Sequence, residues 1–308
     1  FGIKELTDYV NKKNKDVDGE IKNLKKTIEE LKSADAVDQE ALSKAETALK
    51  EAESKIFTPI IGCEMYVADN DMTDRSNKKD IGRHLIVLAK NQHGYHNLIK
   101  LVSNAWTDGY YYHPRTDKKQ LEKYHEDLIV CSACLGGEVP KLITAGHIEE
   151  AEKSILWFKK VFGEDYYLEL QRHKATVARA NQEAYPLQQE VNKVLIEMSK
   201  KHNIKLVCTN DVHFVNEEDA EAHDRLICVS TGTFLDDDKR MLYTKQEWMK
   251  TQEEMNELFA DVPEALSNTQ EVLGKVERYS IEHGPILPNF PLPEGFTDNN
   301  DYLRHLVL

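Results

Sequence analysis

Two hydrophobic patterns divide the chain. Over residues 11–56 apolar positions recur at helical spacing: Ile21, Leu24, Ile28 and Leu31, then Leu42, Ala45, Leu49, Ala52 and Ile56. Steps of three and four residues put each set on one helical face. Between the sets lies "SADAVD", in which Ser33 suits a helix end and Asp38 an N-cap. The pattern predicts an antiparallel, coiled-coil-like helical hairpin. Its ten lysines and eleven acids interleave, with no aromatic and no proline, so its outer face reads as solvated rather than as a nucleic-acid grip.

From Phe57 onward the pattern changes. Strand-like apolar runs occur at 59–68, 84–90, 127–133, 165–171 and 204–210, with helical stretches between them, the clearest at 92–106, 137–161 and 179–202. Continuous apolar strands alternating with helices predict parallel strands covered on both faces, an α/β layered or barrel fold. In such folds ligands gather where the strands end at their carboxyl side.

Four of the five predicted strand ends carry metal-ligating chemistry. Glu64 follows Pro59–Cys63, Cys134 closes "LIVCSAC", His173 follows "YYLELQR", and Asp211 and His213 follow "IKLVCTN". Asp211 and His213 are two apart, so extended backbone points them the same way. The set mixes oxygen, nitrogen and sulfur donors, which suits zinc or manganese better than magnesium. Singly, each residue has a plainer reading: Glu64 paired with Arg83 or Arg115, Cys134 as a small core residue, His173 as a helix cap, Asp211 in an Asx turn. Joint placement at one end of a parallel sheet favours the metal site. His84 stands at the amino end of its strand, which assigns it to the opposite mouth and a structural role. His84, His113 and His223 are secondary candidates for lining the pocket.

Composition narrows the class. Forty per cent hydrophobic and 31% charged residues fit a globular chain with a substantial core. No apolar run approaches the roughly 20 residues needed to span a bilayer, and no signal-peptide core opens the chain. Five cysteines, an odd number, read as reduced, and with these features predict a cytoplasmic protein without a membrane partner. Cys131 and Cys134 have CxxC spacing but no second pair to complete a zinc ribbon. A net charge of −14 argues against a duplex-DNA grip over the whole surface, though not against a local site where cations reverse the field.

Six segments carry a family resemblance: "TPIIGCEMYVA", "HLIVLAKNQHGYHNLIKLVSNAW", "LIVCSACLGGEVP", "LVCTNDVHFVNEEDAEAHD", "EEMNELFADVPEALSNTQEV" and "LPNFPLPEGF". In order and over residues 57–296, they closely resemble the PHP (polymerase and histidinol phosphatase) domain of bacterial replicative DNA polymerase III alpha subunits. The resemblance implies an α/β fold, a distorted (β/α)7-type PHP barrel, here incomplete and carrying the 11–56 helical hairpin as an insertion. It divides the chain into a PHP helix at 1–10, the hairpin at 11–56, the PHP domain at 57–285 and the start of a linker to the polymerase palm at 286–308. Family members begin with a strand bearing His-x-His and reach "TDHG" before a Phe-Gly, whereas this chain opens on Phe1-Gly2. It is thus expected to be a fragment, truncated at both ends, without the polymerase active site.

The resemblance further implies metal ligands at Glu64, Cys134, His173, Asp211 and His213, with zinc or manganese as cofactor, up to three ions in the intact site and fewer or none here. The implied function is a metal-dependent phosphoesterase, a proofreading 3′–5′ exonuclease acting in chromosomal DNA replication within a nucleotidyltransferase. Its partners would be the rest of the polymerase alpha chain, other replicase subunits and a single-stranded DNA 3′ end. The alternative is a non-catalytic scaffold that stabilises the polymerase and docks a proofreading subunit. A free-standing histidinol-phosphatase-like enzyme fits less well, because "LPNFPLPEGF" and "FADVPEALSNT" are polymerase-like.

Overall fold

The computed structural model describes residues 2–34, 38–287 and 289–308. They fall into two units, Phe1–Arg278 and Tyr279–Leu308. The first opens with α1 (Gly2–Ser33), a single helix of 32 residues, about 48 Å long at the usual rise per residue. It contains no proline, and only Gly19 weakens its interior. α2 (Gln39–Ser54) returns along it, N-capped by Asp38, whose carboxylate accepts from the Glu40 and Ala41 N–H groups. Ion pairs Lys25–Glu53 and Lys32–Glu46, at 3.2 and 2.9 Å, fix the antiparallel sense. Ile28, Ala45 and Ala52 are buried along the seam. The predicted hairpin is therefore present, although residues 35–37 of its turn lie outside the described residues. At its base the Asn14 amide donates to the Phe57 carbonyl (2.7 Å) and accepts from the Phe57 N–H (3.0 Å), tying the hairpin to the chain that enters the sheet.

Among the described residues the sheet has six strands: β1 (Gly62–Val67), β2 (Arg83–Ala89), β3 (Arg115–Thr116), β4 (Leu128–Cys131), β5 (Tyr166–Leu170) and β6 (Leu206–Cys208), in the order β3-β1-β2-β4-β5-β6. Each predicted apolar run holds one strand; β3, two residues long, is too short to leave a pattern. The helices are α3 (Gln92–Thr107), α4 (Lys118–Lys123), α5 (Glu138–Thr144), α6 (Ile148–Phe162), α7 (Ala184–His202), α8 (Ala220–Thr231), α9 (Gln252–Leu258) and α10 (Pro263–Gly274). The single helix expected over 137–161 is two, because Gly146 takes φ +80° and ends α5. The second unit contains α11 (Asn299–Val307), N-capped by Asp298, with Phe290 and Phe296 packed on Tyr302; Pro288, in the "LPNFPLPEGF" segment, lies outside the described residues. Among the described residues no helix is long and apolar enough to cross a membrane.

Strand direction departs from the parallel expectation. β2 is antiparallel to both of its neighbours, β1 and β4, whereas β1–β3, β4–β5 and β5–β6 pair in parallel. The cause is the connection. A parallel return needs a crossover, usually helical, but residues 68–82 between β1 and β2 form no helix and are rich in Asp, Asn and Lys. The chain simply turns back. The amino end of β2 therefore lies beside the carboxyl ends of β1 and β4, and His84 sits at the mouth opposite to the one expected from a parallel strand.

Period-two alternation then sorts the side chains. Met65 and Val67 of β1 and Leu85, Val87 and Ala89 of β2 enter the main core, against apolar residues of α3, α5, α6 and α7. The other face carries Ile86, Ile129, Cys131, Tyr167 and Val207, met by Val272 of α10. Glu64, Tyr66 and His84 belong to that second face, at its open end.

Candidate metal centre

Glu64 pairs across β1–β2 with Ile86, and Tyr66 with His84, so Glu64 and His84 are diagonal neighbours on one face. Cross-strand diagonals bring long side chains within reach. The His84 Nδ1 lies 2.6 Å from Glu64 Oε1 and 3.5 Å from Cys134 Sγ. Cys134 arrives from the turn after β4, where Ala133 takes φ +63° and turns the thiol away from the core that holds Cys131. The same turn docks onto β2: the His84 N–H donates to the Gly136 carbonyl at 3.1 Å, and the Gly136 N–H donates to Cys134 Sγ at 3.4 Å. A Cβ on Gly136 would stand 2.8 Å from His84 Nδ1, so only glycine permits this approach. One donor atom from each of Glu64, His84 and Cys134 lies within 4.8 Å of the others.

Charge follows geometry. Hydrogen bonding to Cys134 and then to Glu64 raises the His84 pKa to about 10, while the His84 partner holds the Glu64 carboxyl below its ordinary value. The imidazolium thus occupies a pocket built for positive charge. The plainer pairings for Glu64 do not occur: Arg83 bonds Asp69 at 2.8 Å, and the wholly buried Arg115 pairs with Asp80 at 3.4 Å.

A cavity of about 370 Å³ joins this trio to the remaining expected residues, and Glu64, His84, Cys134, His173, Asp211 and His213 all line it. Asp211 follows β6 in the left-handed region at φ +43°, a conformation that costs a non-glycine residue energy and is held by its surroundings. Burial raises its carboxyl above the ordinary value. The His213 Nδ1 lies 2.7 Å from the Asp211 carbonyl, which can only accept. Nδ1 therefore carries the proton, and Nε2 presents a lone pair, the arrangement that orients ligating histidines.

His173 differs. It is 3% exposed, its Nε2 lies 3.1 Å from the Asn210 carbonyl and must donate to it, and its Nδ1 accepts from the Gln188 amide at 3.0 Å. Both ring nitrogens are thus engaged by protein, and the ring braces the turn that leads to Asp211. The secondary candidates stand around the cavity: His113 stacks on Tyr66 at 4.5 Å, and His223 packs edge-on to His213 at 5.7 Å.

Sequence reading missed two further acids. Glu247, 3% exposed, lines the cavity and accepts from the Thr244 N–H and hydroxyl, while its own carbonyl accepts from the His213 N–H at 2.8 Å. Glu169, buried in the middle of β5, accepts from the Ala133 N–H at 3.1 Å and the Thr209 hydroxyl at 2.5 Å, joining the turns that carry Cys134 and Asp211. An acid inside the otherwise apolar run "YYLEL" is the one signal that pointed to Glu169.

The comparisons agree with this architecture. The family model described as "PHP domain" matches residues 12–173. Curated relatives named DNA polymerase III subunit alpha are similar to the chain: that of Borreliella burgdorferi is 46% identical over 84% of the chain, that of Treponema pallidum 39% over 80%, and that of Thermus aquaticus 34% over 93%. The chain spans only 22%, 21% and 23% of those relatives. A model covering more than half of the residues, together with the sheet and the strand-end donors it frames, places this chain in the PHP domain family.

Proposed function

We propose that this chain is the PHP portion of a replicative DNA polymerase III alpha subunit and that its cavity hydrolyses phosphodiesters, as a 3′–5′ exonuclease on single-stranded DNA ends. The observation that carries the reading is the convergence of Glu64, His84 and Cys134 within 4.8 Å, facing Asp211 and His213 across one cavity. Carboxylate, imidazole and thiol donors converging on one point fit zinc or manganese, whose binding would displace the proton that His84 holds between Glu64 and Cys134. Glu64, His84 and Cys134 would hold one ion, and Asp211 with His213 Nε2 would supply the ligands on the far side. When bound, such ions supply Lewis acidity toward a phosphoryl oxygen and ease the deprotonation of water.

The chain's own groups do the rest. The Asp211 carbonyl fixes the His213 ring, His173 and Glu169 brace the two turns, and Tyr243 narrows the cavity. The proposal includes a partial (β/α)7-type barrel as the frame, residues 11–56 as an insertion into the PHP domain at 57–285, the remainder of a polymerase chain as partner, and a cytoplasmic setting. The test is elemental analysis of the chain purified without chelators, beside His84→Ala/Cys134→Ala. Zinc or manganese in the first and at least tenfold less in the second is expected, with nuclease activity on single-stranded 3′ ends lost in the variant. Equal metal content in both would sink the assignment.

A further inference from the structure

We infer that Trp106, Tyr110 and Tyr112, with Arg75, Lys78 and Lys79, form an entry platform on which single-stranded nucleic acid is laid before its end reaches the cavity. This rests on the phosphodiester reading and adds the residues that would grip bases and backbone.

The first observation is a run of rings. Trp106, Tyr110 and Tyr112 are 59%, 47% and 65% exposed. Trp106 and Tyr110 stack with centroids 5.6 Å apart, and Tyr112 meets Tyr111 edge-on at 4.7 Å. The Tyr111 N–H bonds the His113 carbonyl, the His113 ring stacks on Tyr66, and Tyr66 meets His84 edge-on at 5.0 Å. Ring contacts thus link His113 and Tyr66 to the trio, and a backbone hydrogen bond joins them to the turn that carries the exposed Tyr110 and Tyr112. Tyr112 is held at φ +60°, unfavourable for a bulky residue, and it stands well out in water.

The second observation is charge. Arg115 stacks on Tyr111 at 5.0 Å and donates to the carbonyls of Met72, Asp74 and Asp80, so one buried guanidinium joins the aromatic turn to the 72–80 loop. Along that loop Arg75, Lys78 and Lys79 are exposed, and none has an acid within ion-pair distance among the described residues. The neighbouring acids are taken: Asp69 by Arg83, Asp71 by Lys119, Asp80 by Arg115, and Asp74 by the Ser76 N–H. A chain of net charge −14 thus leaves cations without an acid partner on the loop that Arg115 ties to the aromatic turn. Aromatic faces stack bases of any identity, and cations follow phosphates. A duplex hides its base faces, so the matching ligand is a single strand.

The experiment measures binding of a fluorescein-labelled oligothymidylate of about 12 nucleotides, within the usual site size, to the full chain in EDTA, with a duplex of the same length as competitor. Trp106→Ala/Tyr112→Ala and Arg75→Gln/Lys78→Gln/Lys79→Gln are each expected to weaken binding at least tenfold, and the cation variant to flatten its salt dependence. Both variants are expected to keep metal content and hydrolysis of bis(4-nitrophenyl) phosphate, which shows that they fold and that the cavity is intact. Binding unchanged in the aromatic variant, or equal for strand and duplex, overturns the platform. Metal uptake and small-ester hydrolysis with no strand binding also overturn the platform while leaving the phosphodiester reading in place. Aromatic-dependent strand binding by a chain that takes no metal does the reverse.

Discussion

At the scale of single residues, the site depends on one absent methyl group. Gly136 lies against His84 so closely that any side chain would displace the ring, while its N–H bonds Cys134 Sγ. Gly136→Ala is expected to push His84 off its line to Glu64 and lower zinc or manganese affinity about tenfold or more, comparable to losing a group that orients a ligand. Fold stability should change much less, because the glycine packs on the site and not in the core. Metal titration beside thermal unfolding checks this; unchanged affinity would show that His84 does not set the trio's geometry. His173 illustrates a boundary at the same scale. Its place in the chain matches a ligand, yet both of its nitrogens are satisfied within the protein, and hydrogen-bond partners of that kind leave no trace in a sequence.

Among elements, the segment after α8 is anchored by a buried ion pair. Arg240 donates to both Asp224 oxygens, at 2.6 and 2.7 Å, and both residues are almost fully buried. The pair anchors residues 232–248, which bring Tyr243 and Glu247 to the cavity. Asp224→Ala strands a buried guanidinium and is expected to cost about 3–5 kcal/mol. Asp224→Leu/Arg240→Met, which removes both charges, should restore most of it; urea denaturation of the three proteins reads this directly.

Elements also show what the chain discloses in advance. The hairpin, its Asp38 cap and five of six strands were legible because burial imposes a period on apolar residues. The direction of β2 was not taken from that period, yet it was written in the chain: residues 68–82 have no helical spacing and so offer no crossover. Reading that gap would have moved His84 to the correct mouth. β3 and the role of Glu247 arise from tertiary contacts and had no comparable signal.

For the whole molecule, acid resistance has an identifiable anchor. Glu271 on α10 is partly buried, which acts to raise its pKa, but hydrogen bonds from Lys205, Tyr167 and Lys275 bring it down to about 2. Its folded pKa lies below the unfolded value near 4.5. Its contribution is therefore complete above about pH 4.5 and is lost as pH falls from there through about 2. Glu271→Gln should lower stability at pH 7 and flatten the decline in that window; parallel acid-unfolding curves would contradict it.

The hairpin of β1 and β2 also constrains how this site can vary. Glu64 and His84 meet because strand register sets them diagonally, not because of the number of residues between them. Insertions or deletions in the exposed stretch Thr73–Lys79 change the loop and leave the pair intact. One residue gained or lost inside β1 would turn Glu64 into the core, and one inside β2 would do the same to His84; either dismantles the trio. The spacing between these two ligands is therefore free to drift, while their parity within the strands is not.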